Sequence, residues 1–115
     1  MSERFALRYI SKAAEKEFRA LDGATRAMVA KGLARLRVHG DAIGKPLGGA
    51  LQGCRELKFR ADGIRIIYRI AAGCIEVIEV IAIGKRDKGR VFDVAARRVA
   101  QQDAPAGAGD VGEDG

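Results

Sequence analysis

Two short stretches hold residues whose types and spacing could do chemistry. The first is RELKFRADGIRIIYR, residues 55–69, where Glu56, Lys58, Arg60 and Arg65 crowd around an Asp62-Gly63 pair. Lys and Arg are the side chains that contact phosphate. A carboxylate such as Glu56 on the rim of a cationic patch stands where a general base would. The second stretch is GKRDKGR, residues 84–90, with Lys85, Arg86, Lys88 and Arg90 within six residues. Clustered like charges are either hydrated or matched to an anion, and two clusters converging on one edge favour the anion. Other chemistry is poorly supplied. One histidine, His39, and two cysteines cannot build a His/Cys metal cluster, so no metal and no cofactor is expected. No Gly-rich phosphate loop occurs, and no Ser/His/Asp set can be argued.

The first stretch must be positioned by a hairpin. Asp62-Gly63 between alternating apolar residues predicts a two-residue turn, and such a turn fixes the register. Arg60 then faces Arg65, Phe59 faces Ile66, Lys58 faces Ile67, Leu57 faces Tyr68 and Glu56 faces Arg69. Leu57, Phe59, Ile66 and Tyr68 share the core face; Glu56, Lys58, Arg60, Arg65 and Arg69 share the other. Arg60 opposite Arg65 is a destabilising like-charge pair. Extended through Ala72-Gly73, the register sets Arg69 between Glu56 and Glu76. It also turns Glu79 into the core, where nothing in the register accounts for it; a bulge in that strand would rescue it. The meander brings Arg86 near the Arg65 end of the hairpin. Arg55 falls on the opposite parity.

The rest of the chain supplies the support. Residues 5–10 read as a strand with Phe5, Leu7 and Tyr9 on one face. Ser11 offers an N-cap to the helix KAAEKEFRAL, whose stripe is Ala14, Phe18 and Leu21. Asp22-Gly23 breaks it, and a second helix over about 24–38 turns Val29, Leu33 and Leu36 inward. Residues 39–53 form a Gly-rich connector, long enough for a structureless loop to point to local order or function. Strands follow at about 54–60, 64–71 and 74–83, then a helix over about 90–101 with Val91, Val94, Ala95 and Val99 on one side. Cys54 and Cys74 would begin strands two apart, roughly 10 Å from each other and too far to bridge. The predicted fold is α+β, in the order β-α-α-β-β-β-α: an antiparallel meander with a helical hairpin on one face and the other partly open.

The 115 residues suit one domain. The last 13 hold four acids and no cation, so residues 1–102 carry 21 cations against 11 acids. A functional domain over 1–102 and a disordered acidic tail over 103–115 follow. A domain that basic favours a polyanionic partner. No run is long and apolar enough for a bilayer and no secretory signal is visible, so a cytoplasmic protein with no membrane association is expected.

KPLGG, then CRELKFRADGIRIIYRI, then VIAIGKRDKGRVFDVAARRV resemble toxins of the RelE/ParE superfamily of bacterial type II toxin–antitoxin systems, nearer the RelE branch. The likeness spans about Phe5 to Ala100. It implies a domain that enters the ribosomal A site and cuts mRNA without a metal, the ribose 2′-OH attacking the adjacent phosphate to leave a 2′,3′-cyclic phosphate. By the same resemblance Lys58 matches a lysine of phosphate binding and catalysis. Arg65 and Arg86 match charge-stabilising arginines, and Arg60 is a further phosphate contact. Lys85, Lys88, Arg90 and Phe92 complete the RNA-binding set. Two positions depart: Glu56 stands where well-known RelE toxins have a second catalytic lysine, and Phe92 where they have a tyrosine. Related toxins use a glutamate as base, which gives Glu56 that part; Phe92 can stack on a base but moves no proton. The resemblance also implies a cognate antitoxin that wraps the toxin, in a heterotetramer or other complex. Two further readings stay open: a ParE-like inhibitor of DNA gyrase, and a catalytically weakened antitoxin-binding module.

Overall fold

β-branched and aromatic residues dominate the segments that form the sheet. A computed structural model describes residues 4–60, 63–71, 76–87 and 89–103. Its strands are β1 (Ala6–Tyr9), β2 (Lys45–Pro46), β3 (Cys54–Phe59), β4 (Ile64–Ala71) and β5 (Val77–Lys85). Its helices are α1 (Lys12–Arg19), α2 (Gly23–His39) and α3 (Arg90–Gln102). The sheet runs β1-β5-β4-β3-β2. β3, β4 and β5 form the expected antiparallel meander; β2, a strand inside the segment expected to be a connector, adds antiparallel to β3, and β1 lies parallel to β5. Two helices separate β1 from the meander, so no hairpin constrains its direction.

Both helix starts are capped as their sequences suggest. Ser11 Oγ accepts from Ala14 N at 3.2 Å. Asp22 Oδ1 accepts from Thr25 N at 2.9 Å, so Asp22 opens α2 as well as closing the break before it. Phe5, Val29, Leu33, Leu36, Ile66 and Tyr68 belong to the core between α1, α2 and one sheet face, with Leu7, Tyr9, Phe18 and Leu21 packed against it. The expectation that the other face is partly open holds only at one end. α3 and a 3₁₀ turn, Gly49–Leu51, cover much of it, packing Val91, Ala95 and Leu51 on Cys54, Ile67 and Ala82. Among the described residues no helix is long and apolar enough to cross a membrane.

The register departs from the predicted one by two residues. Phe59 pairs with Ile64, Leu57 with Ile66, Glu56 with Ile67 and Cys54 with Arg69. Four residues therefore join the strands, with Arg60 in the turn and Gly63 at φ 65°; Ala61 and Asp62 lie outside the described residues. A shift of two preserves the faces but changes every partner. Lys58, not Arg60, stands opposite Arg65.

A bulge of the kind that would rescue Glu79 is present. Ile67 pairs with Ala82 but Tyr68 with Val80, leaving Ile81 as the extra residue. Ile81 and Ala82 consequently both join the core beneath α3. Glu79 falls in one row with Arg8 on β1 and Arg69 on β4. Only 2% of its side chain is exposed, and both arginines reach it, Arg8 at 2.9 Å and Arg69 at 2.7 Å. Arg69 also holds Asp103 at 2.9 Å. The predicted ladder of Glu56, Arg69 and Glu76 does not form; Glu76 meets Arg4 at 3.3 Å instead. Asp103, assigned to the tail from sequence, is the C-cap of α3. Residues 104–115, Cys74 and the Ala72-Gly73 turn lie outside the described residues; Cys54 is buried and free.

Candidate active site

The row that could hold an anion lies on the α3 side of the sheet, with Val91 of that helix's first turn over its Gly84 end. Gly84 on β5, Arg65 on β4 and Lys58 on β3 are register partners across three strands. Glu56, two residues before Lys58 on the same strand face, reaches diagonally to Arg65. Their closest atoms, Oε2 and Nε, are 2.8 Å apart, with 12% and 11% of the side chains exposed. This is an ion pair by distance, yet the Arg65 Nε–H makes no hydrogen bond; the carboxylate sits off its axis. A second guanidinium nitrogen of Arg65 meets the Gly63 carbonyl at 3.5 Å. The Arg65 guanidinium is thus held between Glu56 and the Gly63 carbonyl at a nearly buried position, while Lys58 is exposed.

The connector supplies a residue that the sequence reading missed. β2 places Lys45 directly opposite Glu56, so the carboxylate is flanked by Lys45, Lys58 and Arg65. The available signal was Lys-Pro itself: the residue before proline is pushed to extended backbone, and proline is tolerated on an edge strand. Tyr68 keeps the connector in place. Its hydroxyl lies 2.7 Å from the Ile43 carbonyl and 3.0 Å from that of Gly40.

Arg86 joins from the end of β5. Its backbone N–H donates to the Gly63 carbonyl at 3.0 Å, which fixes it beside the hairpin turn as predicted. Lys85 does not join the row. It pairs with Ile64, one position out of phase with Gly84, and its charge bears on Asp22. That carboxyl is held below the ordinary carboxylate range mainly by the Thr25 hydrogen bonds, with Lys85 a lesser cause. Arg60, in the hairpin turn, and Arg90, at the start of α3, are exposed. Phe92 is half-buried, packed against the core beneath α3. Lys88 lies outside the described residues. Among the described residues no group of His, Cys, Asp or Glu is set to hold a metal.

This is a small α+β protein whose sheet sets Arg65, Lys58 and Lys45 around one carboxylate, Glu56. No family model matches the chain. It is 31% identical over 84 residues to a RelE-like toxin protein of Escherichia coli, covering 73% of this chain and 86% of that one. It is 29% identical over the same length to the mRNA interferase toxin RelE of E. coli K12, with the same coverage. Among solved structures, a free double-arginine mutant of E. coli RelE superposes with a TM-score of 0.70 at 27% identity, over 84% of this chain and 98% of that one. The same toxin mutant bound to a RelB antitoxin peptide gives 0.59 at 26%, over 80% and 94%. The chain belongs to the RelE-like toxin family.

Proposed function

We propose that this protein is the toxin of a toxin–antitoxin pair and cuts mRNA in the ribosomal A site. The observation that carries the reading is the three-strand row of Gly84, Arg65 and Lys58, with Glu56 and Lys45 beside it. Two E. coli relatives named mRNA interferase or RelE-like toxin support it, and the RelB-bound RelE structure supports an antitoxin as partner.

The chemistry follows from the placement. A substrate phosphate takes over Arg65 from Glu56, and Arg86 closes on it from the β5 side. Two guanidiniums then face the charge that grows on the phosphate oxygens in the transition state. The displaced Glu56 carboxylate accepts the ribose 2′-OH proton as the oxygen attacks phosphorus. Lys58, whose ammonium can part with a proton as a guanidinium cannot, delivers one to the departing 5′-oxygen. The products are a 2′,3′-cyclic phosphate and a 5′-hydroxyl. Phe92 takes no part in proton transfer; Lys45 and Arg60 hold flanking phosphates.

Primer extension on mRNA after induction without antitoxin tests this. Breaks within A-site codons are expected. Arg86→Ala, at an exposed side chain, should lower cleavage by about 10²–10³, as loss of one charge-stabilising donor does, with the melting temperature unchanged. Intact message together with inhibited DNA supercoiling would reject the reading in favour of a gyrase inhibitor.

A further inference from the structure

The cationic row and its surroundings carry more positive charge than the described residues balance. Lys45, Lys58, Arg60 and Arg86 are exposed. Among the described residues only Arg65 of this set is paired with a carboxylate, Glu56 at 2.8 Å. Lys58 stands directly opposite Arg65, and like charges so placed are unfavourable. Such a surface gains from any acidic chain able to reach it, and one is part of the protein itself. Residues 104–115 lie outside the described residues; their sequence holds Asp110, Glu113 and Asp114 and no cation.

The starting point of that segment decides what it can reach. Asp103 closes α3, and its carboxylate accepts from Arg69 at 2.9 and 3.1 Å. Arg69 and Arg65 are four residues apart on β4, so both side chains leave the same face of the sheet. The segment therefore starts on the face that carries the row, about 13 Å from Arg65 at ~3.3 Å per residue. Lys45 is nearer: its partner Glu56 is two residues along β3 from Cys54, the partner of Arg69. Six uncharged residues, Ala104 to Gly109, separate Asp103 from Asp110. The chain between these two carboxylates spans at most about 23–25 Å, so Asp110 reaches Lys45 or Lys58 well short of full extension. Glu113 and Asp114 reach further, to Arg60 or Arg86. Carboxylates meet ammonium and guanidinium groups through the same charge-assisted hydrogen bonds as phosphates do. Each carries one charge, so an RNA strand with several phosphates in the row displaces them.

We propose that residues 104–115 fold back onto the cationic row and compete there with nucleic acid, as an inhibitor built into the chain. The proposal rests on the reading of that row as the substrate site. A tether matched to its span gives an effective concentration on the order of mM. Apparent affinity falls by the fraction of molecules left open, here to about a third to a tenth of its value without the segment's charges.

The experiment compares the full chain with a full-length variant combining Asp110→Asn, Glu113→Gln and Asp114→Asn. The probe is a short fluorescent single-stranded DNA, which lacks the 2′-OH that the proposed reaction needs, so binding is read without cutting. Anisotropy should show the variant binding about three- to tenfold tighter at ~50 mM salt, with the difference fading towards ~500 mM as screening grows. Amide NMR shifts should differ between the two proteins at Lys58, Arg65 and Gly84 and agree along α2. Equal affinities overturn the proposal. Tighter binding with unchanged amides in the row means that the three charges act only at long range, and also overturns it. Row shifts that grow with protein concentration place the segment of a second copy there and overturn the intramolecular contact. No binding by either protein removes what the segment would compete for and overturns it too. Cleavage is judged separately by primer extension: A-site breaks together with equal affinities leave the ribonuclease reading standing while the inhibitor falls.

Discussion

Tyr68 brings a hydroxyl into the core only because two backbone carbonyls, of Gly40 and Ile43, await it there. The residue is fully buried, and burial pushes its phenol up to about 12; the Arg55 charge pulls the other way. The fold therefore favours the neutral form. Its contribution is complete below the ordinary value near 10 and is lost as pH rises from about 10 towards 12, at up to about 1.4 kcal/mol per unit. Tyr68→Phe should cost about 1–2 kcal/mol at pH 7 by leaving carbonyls short of a donor. The gap between the two proteins should close above pH 10. Urea unfolding at pH 7 and pH 11 checks this; a gap that widens with pH would contradict it. At this scale the sequence was legible for side chains that stay on one face and misleading for their partners. Glu56, Lys58 and Arg65 were assigned to one face, and they share it. Glu56 was expected to meet Arg69, yet it meets Arg65 at 2.8 Å. Lys45 was not singled out, because nothing local says that a Lys-Pro dipeptide 11 residues upstream will pair with Glu56.

The reason lies at the level of elements. Turns of two and four residues around Asp62-Gly63 give the same alternation of faces, so periodicity cannot separate them. Charge can: the longer turn takes Arg60 off the ladder and leaves Glu56 diagonal to Arg65, where it offsets the Lys58–Arg65 apposition. The bulge at Ile81 was foreseeable for the opposite reason, since an unbulged β5 would have buried Glu79 among apolar side chains without a partner. Helix α2 shows what a pattern does not reveal. Gly32 sits mid-helix, where glycine is unfavourable by about 0.8–1.0 kcal/mol against alanine. A Cβ there would lie 2.4 Å from Phe59 Cζ and 3.3 Å from Leu57 Cδ2. The glycine is what lets α2 approach β3. Gly32→Ala should therefore destabilise by about 1–3 kcal/mol through overpacking, despite the propensity it gains. A rise in melting temperature would show that the Phe59 ring gives way freely.

Across the whole molecule, one chain of charges joins layers that hydrophobic packing treats separately. Arg8 on β1, Glu79 on β5, Arg69 on β4 and Asp103 at the end of α3 are linked in sequence by contacts of 2.9, 2.7 and 2.9 Å. Glu79 is the buried centre, and Asp103 links this set to the helix. Hydrogen bonding to Asp103, then to Glu79, raises the Arg69 pKa against the effect of burial. In return, the Arg69 hydrogen bond holds the Asp103 carboxyl below the ordinary carboxylate range. A depressed carboxyl stabilises the fold above its unfolded value, near 3.9, and that contribution disappears as pH falls through the folded value. Asp103 is exposed, so the effect belongs to the last turn of α3 rather than to global stability. Asp103→Asn should speed amide exchange in residues 99–102 at pH 6–7 and leave β4 and β5 protected. At a pH below the folded value of Asp103, where the native carboxyl is itself protonated, the two proteins should exchange alike in that turn. Exchange that is equal at both pH values would mean that Val99 and the core beneath α3, rather than Arg69, hold the end of the helix. Exchange that rises through β4 as well would mean that the charge chain carries the sheet, which the burial of Ile66, Ile67 and Tyr68 argues against.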